Sequence, residues 1–311
     1  MKLILLSDPH LLSQNPVARK DNLVEVQFEK FEYVLDYAER NEASLLIAGD
    51  FCDKPRSWHL LPRIIEMLRS KRVTVYAVYG QHDTYLYSEA TRDATNLGVL
   101  AKSGIVTILG KKPIVLGKIH SGLPMIRIYG CHHGEKVPKT KKIGLNILVV
   151  HAPIALKPLW SGQHYMDAED YLDKHKSFDL ILCGDIHRKF LERDENRLIC
   201  NTGPMLRKTA EEYSFEHKPG FFVYDTVDRS IDWEEISHKK AASVLSRDHI
   251  EDPKEVRYML DDFIDEMSKD IKIDTDLVKN IYSFIEANDI AQEVQDLLAE
   301  VMQIKEEVDD D

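Results

Sequence analysis

The chain has few cysteines and no long apolar run, and each lack removes a class of protein. Its 311 residues include four cysteines, Cys52, Cys131, Cys183 and Cys200. They are far apart and none stands in a CxxC pair, so neither a disulfide framework nor a thiolate zinc knuckle organises the fold. Reduced thiols and a cytoplasmic location are expected. No apolar stretch approaches the roughly 18 residues of a membrane span. The short run Lys2-Leu3-Ile4-Leu5-Leu6 is too brief for a signal-peptide core and leads directly into Ser7-Asp8-Pro9-His10, so it reads as a first strand. Convincing internal repeats are also missing.

A basic surplus is lacking as well, but the average misleads. The net charge is −12, yet residues 251–311 hold 20 acidic and 6 basic residues, leaving 33 acidic and 35 basic residues in the first 250. The acidity belongs to the tail. The near-neutral body does not repel a polyanion, whereas the tail would not grip one.

What is present is an alternation of apolar strands and amphipathic helices. The strand candidates Lys2–Ser7, Ala43–Ala48 and Val73–Tyr79 alternate with helical periods over Val24–Arg40 and Trp58–Leu68. This is the pattern of an α/β sheet with parallel strands and crossover helices. Ala90–Ala101 predicts another helix. Val106–Leu109, Ile114–Leu116 and Met125–Tyr129 are short strands, antiparallel or mixed. Leu145–Val150 and Phe178–Leu182 are fully apolar buried strands, with a helix over Asp167–Lys174 between them. Phe190–Cys200 predicts a hairpin about Asp194-Glu195-Asn196, and Phe221–Asp225 with Ser230–Trp233 are expected to extend the second sheet. The architecture implied is two layered sheets flanked by helices. From about Asp252 the composition turns acidic, with helical faces at Val256, Met259, Leu260 and Phe263 and a heptad-like spacing from Val294 to Val308. Two segments result: a body at 1–250 and an acidic helical appendage at 251–311.

Five donor-bearing runs follow the apolar segments: Ser7-Asp8-Pro9-His10, Gly49-Asp50-Phe51-Cys52-Asp53, Gly80-Gln81-His82-Asp83, Val150-His151-Ala152-Pro153 and Gly184-Asp185-Ile186-His187. Ligand crevices in open α/β sheets lie at the carboxyl ends of strands. Carboxylates can bridge two cations, and neutral imidazoles bind transition metals without adding charge. Two such metals polarise a phosphoryl group and acidify water.

These runs, in this order, resemble the calcineurin-like metallophosphoesterase superfamily, whose pattern is DxH, GDxxD, GNH[ED], a later His, and GHxH. The resemblance implies a four-layer α-β-β-α sandwich of two mixed sheets and two divalent metal ions. Asp8, His10, Asp50 and His187 would hold the first, and Asp50, Gln81, His151 and Asp185 the second. His82 would protonate the leaving oxygen, oriented by Asp83 or a neighbour. Two positions depart from the pattern: Gln81 stands for Asn and Asp185 for His. Both fall on the second metal and shift it toward hard oxygen donors, favouring Mn²⁺ or Mg²⁺ over Zn²⁺. His132 and His133 could line a substrate groove or form a surface turn. Arg207 and Lys208 could contact phosphates or belong to a solvated loop. Cys52 and Cys183 read as small buried fillers.

Within the superfamily, Gly49-Asp50-Phe51-Cys52-Asp53-Lys54 lacks the GDxVDRG of the protein phosphatases. The opening Lys2–His10 and the later Asn201-Thr202-Gly203-Pro204 with Lys218-Pro219-Gly220-Phe221 are instead similar to the branch of DNA-repair nuclease subunits, bacterial SbcD, the Mre nucleases and phage recombination nucleases. That resemblance implies a DNA exo- or endonuclease, a homodimer, and an SbcC/Rad-like coiled-coil ABC-type ATPase partner docked by 251–311. A nucleotide phosphodiesterase and a catalytically weak scaffold remain alternatives. Deleting 252–311 is expected to abolish co-purification with such an ATPase while sparing nuclease activity; loss of the bare activity would make the tail part of the catalytic fold.

Overall fold

The structure, a computed structural model, describes residues 1–85, 88–117, 125–160 and 162–247. The tail expected to dock a partner lies outside the described residues. Two six-stranded mixed sheets face each other. In the first, the order is β14 (Ile231–Glu235), β13 (Gly220–Asp225), β1 (Lys2–Leu6), β2 (Ser44–Ile47), β3 (Val75–Ala77) and β4 (Val106–Ile108). Strands β1 to β4 run parallel, and β13 is antiparallel to β1. In the second, the order is β11 (Phe190–Asp194), β12 (Arg197–Asn201), β10 (Leu180–Asp185), β7 (Leu145–Ala152), β6 (Ile126–Cys131) and β5 (Ile114–Leu116). Here β6, β7, β10 and β12 are parallel, with β5 and β11 antiparallel at the two edges.

The period-two alternation explains why the central strands are apolar throughout. Leu3 and Leu5 of β1 pack between the sheets with Leu46, Ile147, Val149, Leu180 and Leu182. Ile4 and Leu6 face the other way, onto Phe31, Val34 and Leu35 of helix α1 (Leu23–Arg40). A strand buried on both faces has no solvent side to keep polar. The second sheet has the same arrangement. Its outer face, with Leu148, Val150 and Ile181, packs on Tyr171 and Leu172 near the end of the strand–helix unit. Those two residues belong to a short helix, Ala168–Lys174, whose first N–H groups are capped by the Asp167 carboxylate. The outcome is the expected α-β-β-α layering.

Three expectations change. Phe221–Asp225 and Ile231–Glu235 join the first sheet rather than the second. They do so because β1 has a free edge, and because β13 is itself two-faced: Phe222 and Tyr224 pack between the sheets while Phe221 and Val223 pack toward α1. Val106–Ile108, expected in one run of antiparallel or mixed strands with Ile114–Leu116, instead joins the first sheet parallel to β3. The single helix expected over 90–101 is broken. A 3-10 segment covers Glu89–Ala94, and a new helix, Asn96–Lys102, starts where the Thr95 hydroxyl caps the Gly98 N–H. The hairpin is as expected, with Glu195 at φ +48° in its two-residue turn. All four cysteines are buried and free. No helix among the described residues is long and apolar enough to cross a membrane.

Lys30 of α1 is buried beside Arg207 and Arg19, and its ammonium has only the Met205 carbonyl at 3.5 Å. Burial, followed by Arg207 and Arg19, brings it down from 10.5 to about 7. The unfolded chain keeps this proton until the pH nears 10.5, so between 7 and 10.5 the unfolded state binds more protons and stability rises with pH. Lys30→Met is expected to raise stability at pH 7 and to flatten that rise, each pKa unit being worth about 1.4 kcal/mol. Urea denaturation across this pH range measures both effects.

Candidate metal centre

The carboxyl ends of the parallel strands of both sheets converge, and the donors stand there. Asp8 and His10 follow β1, Asp50 follows β2, and Gln81 and His82 follow β3. From the other sheet come His151 at the end of β7, Asp185 at the end of β10 and His187 two residues later. Asp8, Asp50 and His151 are fully buried, and His10 is nearly so. The backbone is bent to aim them: Asp8, His10 and Asp50 have φ of +48°, +46° and +47°, and Asp185 has +90°. Among the described residues that is four of the seven non-glycine residues in the left-handed region, a strain that persists where packing over-determines it.

The motif glycines have a steric reason. A Cβ on Gly49 would strike the His151 ring, one on Gly80 the Asp50 carboxylate and backbone, and one on Gly184 the Ala48 carbonyl and Asp8. Each glycine makes room for a donor carried by another strand.

The donor atoms are spaced as cation ligands. His10 Nε2 lies 2.9 Å from His187 Nε2 and 3.5 Å from Asp50 Oδ2. His151 Nε2 lies 2.6 Å from Gln81 Oε1, 3.6 Å from Asp50 Oδ2 and 3.9 Å from Asp185 Oδ1. Separations near 3 Å suit donors that each approach a common cation at about 2.1 Å. Asp50 Oδ2 is buried with no hydrogen-bond partner, in the middle of both groups. Among the described residues, three donor triads meet the spacing of a metal site: Asp8–His10–His187, His10–Asp50–His82 and Asp8–Asp50–His151.

The electrostatics point the same way. Burial, reinforced by Asp50, raises the Asp8 carboxyl well above its ordinary range. Burial opposes a charge on His151, yet Asp50, Asp8 and Asp185 outweigh it and lift the imidazole to about 9. Buried carboxylates are thus drawing positive charge toward themselves, which a divalent cation supplies far more strongly. Burial, followed by Lys208, holds His10 well below its usual value and His187 down to about 3, so both imidazoles are neutral and able to ligate.

A family model of calcineurin-like phosphoesterases matches residues 1–189. The chain belongs to that family. Its members are metal-dependent phosphoesterases, and the donor clusters fit divalent cations in their chemistry. Among solved structures, an archaeal phosphodiesterase is 12% identical with a TM-score of 0.40, covering 76% of this chain and 100% of that one. A 5'-nucleotidase described as putative, from Staphylococcus aureus, is 13% identical with a TM-score of 0.44, covering 84% of this chain and 58% of that one. The phosphopantetheinyl hydrolase of Mycobacterium tuberculosis is 12% identical with a TM-score of 0.41, covering 65% and 89%. No curated protein matches the chain.

Within this phosphoesterase, some expected site residues move apart from the rest. Asp83 does not orient His82. Its carboxylate accepts the N–H groups of Phe51, Cys52 and Gly80, tying the loop after β2 to the loop after β3. The His82 ring is oriented by a backbone oxygen instead: Nδ1 is 2.8 Å from the Asp53 carbonyl. A carbonyl can only accept, so Nδ1 carries the proton and Nε2 faces away from that bond. Arg207 turns inward. It is buried, and its guanidinium donates to the carbonyls of His217 and Lys239. Its neighbour Lys208 does reach the centre, with Nζ 2.5 Å from Asp53 Oδ1. His132 is buried, its Nδ1 accepting from the Tyr79 N–H, while the His133 ring stands 6.0 Å from that of His151.

Other residues at the centre were not singled out from sequence. Asp53 serves His82 through its carbonyl, and Lys208 and His10 through its carboxylate. Its signal was the second Asp of the Gly49–Asp53 run. Asn201 and Thr202 hold the loops beneath the donors: Thr202 Oγ1 accepts from Ser7 N, and Asn201 Nδ2 donates to the Ile186 carbonyl. Gly80→Ala is expected to lower stability by about 1–3 kcal/mol and to weaken divalent-metal binding, because Asp50 must shift. Gly110→Ala, whose added Cβ meets open space, is the matched control, and denaturation with metal titration reads both.

Proposed function

We propose that this phosphoesterase is a Mn²⁺-dependent DNA nuclease that hydrolyses phosphodiesters at DNA ends, in repair, recombination or replication, beside a coiled-coil ABC-type ATPase. The observation that carries the reading is the cationic rim of the centre. Lys208 sits at its mouth, and Arg188 and Lys189 follow His187 directly, with Arg188 over the Tyr213 ring at 3.8 Å and Lys189 over Trp233 at 4.1 Å. Cations beside a phosphoryl-cleaving centre suit a nucleic-acid strand, whose phosphates they match.

Asp8, His10, Asp50 and His187 would hold one cation, and Asp50, Gln81, His151 and Asp185 the other. When bound, the pair supplies Lewis acidity at the phosphoryl oxygens and an acidified water. The chain's own residues do the rest. Lys208 and Arg188 orient the phosphodiester. His82, fixed through its Nδ1–H by the Asp53 carbonyl, acts as the imidazolium: the second proton, on Nε2, passes to the departing sugar oxygen and leaves the neutral ring. Asp185 in place of an imidazole makes the second site richer in oxygen, the basis for Mn²⁺ over Zn²⁺.

A second reading, a phosphodiesterase of small nucleotides, is favoured by a cleft of about 340 Å³ beside the centre, walled by residues 11–17 with Asp53, Lys54 and Lys208. That volume is in the range of small-molecule sites. Linear duplex DNA and a nucleotide phosphodiester, each offered to the Mn²⁺-loaded full chain, separate the two. The nuclease reading expects DNA cleavage, a kcat lowered roughly 10²–10⁴-fold by His82→Ala with KM little changed, and a flatter salt dependence of DNA binding in Lys208→Ala. Turnover of the nucleotide with intact DNA would overturn it.

A further inference from the structure

His133 has a place at the centre that no role accounts for. It follows β6, the parallel neighbour of β7, so it sits at the same sheet edge as His151. Its backbone N–H donates to the Tyr79 carbonyl at 3.0 Å, which fixes it two residues from Gln81. The adjacent His132 takes the Tyr79 N–H through Nδ1, also at 3.0 Å. Tyr79 is therefore gripped at both its polar backbone atoms by the end of β6. The grip holds the two sheet edges together where the second group of donors lies.

The His133 ring meets the His151 ring edge-on, with centroids 6.0 Å apart and planes at 61°. Its Nδ1 is buried without a hydrogen-bond partner. His151, whose ring His133 meets, lies 3.6 Å from Asp50 Oδ2 and 3.9 Å from Asp185 Oδ1, both of the second donor group. A buried ring nitrogen left without a partner costs roughly 1–3 kcal/mol, and such groups in folded proteins have a reason. The same donor group is short of nitrogen. Gln81, Asp50 and Asp185 offer oxygen, and His151 alone offers an imidazole. Position 185, at the end of β10, carries a carboxylate that also accepts a hydrogen bond from Gln81 Nε2 at 2.7 Å.

We propose that His133 supplies the second imidazole of the second cation site, so that the nitrogen donor has moved from the end of β10 to the end of β6, on the opposite side of His151. Asp185 then serves as an anionic oxygen donor and as the anchor of Gln81. The site becomes one of three oxygens and two nitrogens, compatible with Mn²⁺ and less exclusive for it than an all-oxygen set.

This rests on the reading of the cluster as a two-cation centre, and the test separates the two claims. The full-length chain is titrated with Mn²⁺ by calorimetry. The wild type is expected to bind two ions. His133→Ala is expected to weaken one of them about tenfold or more and to leave the other unchanged. Asp185→His in the His133→Ala background is expected to restore the weakened site, because it returns an imidazole from the other side. In the unsubstituted Co²⁺-loaded chain, each ligating imidazole gives a hyperfine-shifted exchangeable N–H signal, and His133 is expected among them, a readout independent of how any variant folds. Two unchanged sites in His133→Ala, equal weakening of both, or no shifted His133 signal would overturn the inference while leaving the two-cation reading in place. A wild type that binds no Mn²⁺ would overturn both.

Discussion

The carboxylates Asp8 and Asp50 lie fully buried where two sheets meet, and the rest of the centre follows from their need for positive charge. An uncompensated buried carboxylate is costly enough that the group protonates instead. Asp8 shows the tendency in its raised pKa, and His151 shows it by holding a proton against its own burial. Divalent cations satisfy that need with the least rearrangement, since His10, His187 and the free oxygen of Asp50 already face one another at ligand spacing.

Holding like charges together requires a stiff frame. The two sheets provide it through a dry shared core, and the loops above them are tied in pairs. Asp83 joins the loops after β2 and β3, the end of β6 grips Tyr79 before the Gln81 turn, and Asn201 and Thr202 secure Ser7 and Ile186 beneath Asp8 and His187. The strained φ values at Asp8, His10, Asp50 and Asp185 are maintained by these ties. The glycines beside them leave the space into which donors from neighbouring strands project. A family motif is thus a packing requirement as much as a list of ligands.

Much of this was legible in the chain itself. The fully apolar strands, the helical period over Val24–Arg40, the hairpin about Glu195 and the donor runs at strand ends are local patterns, and local patterns survive folding when periodicity and turn chemistry agree. Asp8, His10, Asp50, Gln81, His151, Asp185 and His187 do meet, because each lies at the carboxyl end of a parallel strand or just beyond it, and parallel strands present those ends on one edge.

Other features depended on distances the sequence does not carry. Which sheet received β13 was decided by the free edge of β1, two hundred residues away along the chain. Adjacent Arg207 and Lys208 are chemically alike, yet one turns inward to two carbonyls and the other reaches Asp53. Asp83 stands next to His82 in the chain, but its carboxylate is taken by backbone N–H groups, and the carbonyl that orients His82 belongs to Asp53. His133 could have been a surface turn; the register of β6 beside β7 brought it to His151. The sequence by itself determined which donors exist and that strands would carry them to one edge, because strand formation and side-chain chemistry are local. Tertiary structure decided which of them share a cation and which are spent holding the frame, because that depends on how two separately wound sheets stack.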